Sequence, residues 1–175
     1  MNKLAMQVLV LLFGFLVFNV NAREKPPLPY YAWGACERAC KQKGGEHFLK
    51  KVLTVYKRPN VKGGIAFAFK PNEEIEVVDY AKVITRPTIL EMKIKYVSDE
   101  CAFKKGEVVY GLAYLAEGRS EYWHNGKIVE CEDPSSDAAK VISEGEEFYW
   151  AKVKNKKGKV GWIQYDESTY DLFYS

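Results

Sequence analysis

Histidine is nearly absent: the 175-residue chain holds two, His47 and His124. They lie apart, and no Cys-x-x-Cys pair accompanies them, so the ligand spacing of a zinc site is missing. A Cys–His nucleophile needs a thiolate beside an imidazole, and each cysteine here has a candidate disulfide partner instead. There is no Gly-rich phosphate loop, no His-Glu-x-x-His and no G-x-S-x-G elbow. The acidic pairs Glu73-Glu74 and Glu146-Glu147 do not fill the gap. Neighbours on a strand point to opposite faces, so neither pair forms a two-carboxylate glycosidase site. No catalytic residue, no metal and no cofactor is expected. An excess of one charge is lacking too. Lys plus Arg is 26 and Asp plus Glu is 23, a net +3. That gives little counterion-release drive, which disfavours a dedicated nucleic-acid binder. The hydrophobic share of 47% is too high for a disordered chain. A large catalytic α/β fold is disfavoured at this length.

Long apolar runs are confined to the start. Residues 8–18 are apolar except for Gly14; Lys3 precedes them and Val20-Asn21-Ala22 follows. This is the pattern of a signal peptide over residues 1–22, cleaved before Arg23. Its apolar core is shorter than the ~20 residues that span a bilayer. The expected product is exported, periplasmic or extracellular, with no integral span. Export sets the reading of Cys36, Cys40, Cys101 and Cys131. An even set in an oxidising compartment predicts two disulfides. Cys36–Cys40 as a local bridge with Cys101–Cys131 is one arrangement; the first two paired with the later two is the rival.

What is present is a β grammar. Residues 23–29 hold three prolines and read as an extended leader. Residues 30–45 carry aromatics, the first two cysteines and Gly44-Gly45, with room for one helical turn. Strands are expected over 52–56, 65–69, 74–80, 83–85, 89–97, 107–115, 120–124, 127–131, 148–154 and 160–165. Asn125-Gly126 is a strong hairpin signal, because both residues tolerate positive φ. Gly158 marks a second hairpin turn. Residues 132–145 read as a polar loop with a brief helical stretch at 137–142. A weak repeat sets Lys70-Pro71-Asn72-Glu73 and Lys104-Lys105-Gly106-Glu107 each ahead of an alternating strand. Short strands between Gly, Pro and Asn turns predict an all-β chain of small barrels.

The run Tyr149-Trp150-Ala151-Lys152-Val153-Lys154, then Lys157-Gly158-Lys159-Val160-Gly161-Trp162-Ile163, resembles the closing hairpin of bacterial SH3-like (SH3b) domains. Leu53-Thr54-Val55-Tyr56-Lys57-Arg58-Pro59 resembles their first strand and Pro-containing turn. Residues 70–77 resemble the "K-x-G-E-x-V" segment, with Asn72 in place of Gly. Residues 109–127 resemble a segment of exported bacterial proteins with two SH3-like units. The resemblance covers residues 48–165. It implies two small SH3-like β-barrels in tandem behind a cleaved signal peptide. The expected division is 23–47 as a Cys-containing segment, 48–98 as the first unit and 99–175 as the second with a C-terminal tail. It also implies a binding module.

Two features bear on binding. Lys152, Lys154, Lys156, Lys157 and Lys159 follow the acid-rich stretch 130–147. A solvated hairpin, neutralised by that stretch, is favoured over a basic patch for an anionic polymer. Aromatics crowd the second half, and alternation leaves one of each adjacent pair outside. Trp123, Tyr149 and Tyr165 are the expected binding anchors, since an exposed aromatic offers rigid area and a polar tip. The expected function is engagement of a cell-envelope component, a peptidoglycan peptide or an envelope protein, without catalysis. The alternative is a secreted inhibitor or effector that binds a protein partner.

Overall fold

A computed structural model describes residues 25–35, 46–48 and 51–165. The expected signal peptide, the Cys36 and Cys40 pair and the tail beyond Tyr165 lie outside them. The described residues form strands and turns, with no helix among them. The described residues are all-β, as expected.

Seven strands form the first sheet: β1 (Tyr30–Trp33), β2 (Glu46–Phe48), β3 (Leu53–Tyr56), β4 (Ile65–Phe69), β5 (Glu74–Arg86), β13 (Glu146–Asn155) and β14 (Val160–Tyr165). Their order is β1-β5-β13-β14-β3-β4, and β2 also pairs with β5. Five form the second: β6 (Thr88–Met92), β9 (Val108–Ala116), β10 (Arg119–His124), β11 (Lys127–Glu132) and β12 (Ala139–Ser143), in the order β11-β10-β9-β6-β12. β7 (Tyr96–Val97) and β8 (Ala102–Phe103) make a small ribbon. The sheets therefore distribute the chain differently from a boundary at 98/99. The first takes strands from both sides of the second, and β5 pairs with β13 along most of its length.

The local reasons are legible. Val55, Phe69, Ile75, Val77, Tyr80, Ala151, Val153 and Ile163 form one core, drawn from β3, β4, β5, β13 and β14. Val77 and Tyr80 share a face although three positions apart. The register skips Val78, since Lys152 faces Asp79 and Val153 faces Val77. Such a bulge inserts one residue and restores the alternation. Tyr30 and Tyr31, read from sequence as part of an N-terminal segment, are β-formers that pair with Ile84 and Val83. Residues 137–142 give no helix. A single turn at Ser135–Ala138 leads into β12, which pairs with β6.

The repeat has a physical basis. The Glu73 carboxylate accepts from the Lys70 amide at 2.8 Å, and Glu107 does the same for Lys104 at 2.7 Å. The third residue takes positive φ in both, 64° at Asn72 and 78° at Gly106. Asn is the side chain that tolerates this best after Gly, so Asn72 replaces Gly without breaking the turn.

Asn125 and Gly126 sit at φ 50° and 80°, closing the predicted two-residue hairpin between His124 and Lys127. The turn before β10 is built the same way on Glu117, at φ 54°. Glu has no compensation for this conformation. Glu117→Asn should raise stability by about 1 kcal/mol; chemical denaturation of the two proteins measures it.

The second core holds Met92, Phe103, Val109, Tyr122, Cys131 and Ala139. A disulfide joins Cys101 to Cys131, with Cα atoms 5.8 Å apart. Ala32, Ile84 and Ala113 pack the sheets together. Tyr30 donates to Glu121 Oε2 at 2.8 Å across the same junction. Burial, then that hydrogen bond, pushes the Tyr30 phenol well above its usual range, so it remains a donor.

Candidate functional site

Period-two alternation gives the first sheet two different faces. Val153 and Ile163 face the core; Trp150 and Trp162, one residue earlier in phase, face the other way with Ala81 and Val83. Tyr31, Tyr56 and Phe148 pack around them. Strand β1 completes this face. Tyr31 and Trp33 are two apart, so their rings stack, centroids 5.3 Å apart and planes within 8°. Trp33 also leans on Trp162 at 5.6 Å. Tyr56 meets Trp150 edge-on at 5.8 Å. Trp33 is 61% exposed, the open end of an otherwise covered aromatic row. Lys152, opposite Trp162 in register, holds its ammonium 5.8 Å from that ring. The result is an aromatic platform with a stacked Tyr31–Trp33 pair at its open end, tilted against Trp162, and a cation beside it. Its free stacking area is the Trp33 ring, and the Lys152 cation has Asp79 opposite it in register.

The expected anchors fall elsewhere. Tyr149 and Tyr165 face each other across β13 and β14, and Trp123 lies on the second sheet, opposite Ile128 and Tyr110. Tyr165 packs against the first core and meets Tyr80 edge-on at 6.4 Å. Trp123 and Tyr149 are half-buried. Tyr149 donates to Glu147 Oε1 at 2.9 Å, and Glu147 Oε2 pairs with the Lys82 ammonium at 3.0 Å. Lys82, 5.2 Å from the Tyr149 ring centroid, is only 2% exposed. Pairing and hydrogen bonding are what make a buried ammonium tolerable.

Other charges read as expected in outcome but differ in partner. Lys154 pairs with Glu76 at 2.6 Å and Lys156 with Glu74 at 2.5 Å. The neutralising acids thus come from β5 beside the hairpin, not from the stretch 130–147. His124 ends strand β10. Its ring stands edge-on to Phe103 at 5.0 Å and 3.2 Å from Glu107, and its side chain is mostly buried. Alternation places it on the face of Tyr122, toward the second core.

Sequence reasoning missed Trp33 and Lys82. The signal for Lys82 was available: Tyr80, Lys82 and Ile84 share one phase of an apolar strand. The signal for Trp33 was weaker, because its strand precedes the regular pattern. No family model matches the chain, and no curated protein and no solved structure matches it.

Proposed function

We propose that this chain is an exported, non-enzymatic binding protein that holds a peptidoglycan peptide against the aromatic platform of the first sheet. The observation that carries the reading is the exposed Trp33 ring, stacked on Tyr31 and braced by Trp162. An anchor of this kind is rigid before binding, so little ordering entropy opposes it. Lys152 beside the row suits a peptide that carries carboxylates. The leader pattern of residues 1–22 supports export, and the Cys101–Cys131 disulfide suits an oxidising compartment.

We further read the SH3-like unit as split. The hairpin that resembles the family's closing pair is β13–β14, and it pairs with β5 and β3, which carry the resembling segments 70–77 and 53–59 in part. In this reading residues 53–86 and 146–165 make one unit, and residues 88–143 are inserted within it.

Sedimentation with purified peptidoglycan tests the function. Saturable binding is expected, with Trp33→Ala weakening it by about 30-fold, the scale of a ~2 kcal/mol interface anchor. Because Trp33 is mostly exposed, the variant should keep its melting temperature within a few degrees. Absence of sedimentation, or sedimentation indifferent to Trp33→Ala, would sink the reading.

A further inference from the structure

A cavity of about 280 Å³ opens where the two sheets meet. It lies on the opposite face of β5 from the platform, since Lys82 alternates with Ala81 and Val83. Lys82 and Glu147 line it from the first sheet; Thr88, Ser120 and Tyr122, with Asp133 just beyond β11, line it from the second. Its volume is just below the ~300–1,000 Å³ of drug-sized sites, which limits the occupant to an amino acid or the end of a peptide.

The wall chemistry selects further. One buried cation stands against two carboxylates, so the cavity carries an excess negative charge. Lys82 is already matched to Glu147 at 3.0 Å. Asp133 Oδ1 accepts from Tyr122 at 2.8 Å. Burial, then that bond, pushes the Tyr122 phenol up, which keeps it a donor. An ionised carboxylate has about four lone-pair sites, so Asp133 and Glu147 retain acceptor capacity after these contacts. Both carboxylates are exposed rather than sealed, and can meet a ligand. Thr88 and Ser120 add hydroxyls to the wall; Thr88 Oγ1 already takes the Gly145 amide at 3.1 Å. An anionic occupant would meet two carboxylates and a lysine already matched to one of them, a net repulsion that an ammonium avoids.

We infer that this cavity is a second binding site, for a free primary ammonium: the amino group of an amino acid or of a peptide's amino-terminal end. The ammonium sits between Asp133 and Glu147, and the rest of the ligand lies along Thr88 and Ser120. The site is independent of the platform.

Amide-resolved NMR titration of the protein tests this, with L-alaninamide as the probe and N-acetyl-L-alaninamide and acetate as controls. L-Alaninamide should give saturable shifts at Gly111, Ser120, Asp133 and Glu147. Acetylation of its amine should weaken binding by more than about tenfold, the loss of a charge-assisted contact. Asp133→Asn and Glu147→Gln should each weaken it about tenfold, while Trp33→Ala leaves it unchanged. Glu147→Gln also removes the counter-charge of the buried Lys82 ammonium, so its fold is checked by its melting temperature, and Asp133→Asn, which keeps an acceptor for Tyr122, provides the second variant. Equal binding of the acetylated probe, preference for acetate, or no saturable shift would each overturn the inference. Wall binding through Trp33 stands or falls separately.

Discussion

Gly161→Ala is expected to lower stability by about 3 kcal/mol, the upper range for overpacking a core. A Cβ at position 161 would lie 2.5 Å from Val55 Cγ1 and 2.8 Å from the Tyr56 carbonyl oxygen. One neighbour is backbone, and the other belongs to a fully buried side chain. β14 meets β3 here, where Trp162 faces Tyr56. Neither strand can retreat without opening the core that holds Phe69 and Ile163. In a protein of this size the melting temperature should fall by about 10 °C. A drop under about 3 °C would mean that β3 yields, contrary to the close packing described.

Loss of the Cys101–Cys131 bridge should be comparably severe. The bond closes a sequence separation of 30, and loop-closure entropy for that length predicts about 3–4 kcal/mol. Cys131 is also fully buried in the second core, beside Phe103 and Tyr122. A melt in reductant, and a melt of the Cys101→Ala/Cys131→Ala protein, should both shift down by about 10 °C. Insensitivity to both would remove the bridge from the account of stability. The two lesions act on different sheets and share no contact described above, so the combined variant should show nearly additive losses.

Local chemistry was legible and pairing was not. Asn125-Gly126 declares its hairpin because φ preference is a property of two residues. The Glu73 and Glu107 turns are equally short-range, which is why their similarity shows in sequence. The partner of β5 is another matter. Arg86 meets Glu146 across 60 residues, and nothing in either strand names the other. Sequence proximity therefore does not show that the closing hairpin lies beside β5 and β3. The expected anchors lie off the platform for a related reason. Alternation shows that Tyr149 and Trp150 face opposite ways, but not which face another element covers. Trp150 is covered by Tyr56, and Tyr149 is drawn in by Lys82 and Glu147.

The place of β13 also sets a timetable for the chain as it is made. β1 to β5 leave the ribosome first, while the whole of the second sheet, within residues 88–143, emerges before β13 does. The second sheet has every one of its partners in hand at that moment and can close at once. β5 meanwhile waits with the edge meant for β13 unpaired, and an unpaired edge is where foreign strands attach. Aggregation during synthesis should therefore centre on residues 74–86, and release of the final hairpin is the step that ends the exposure.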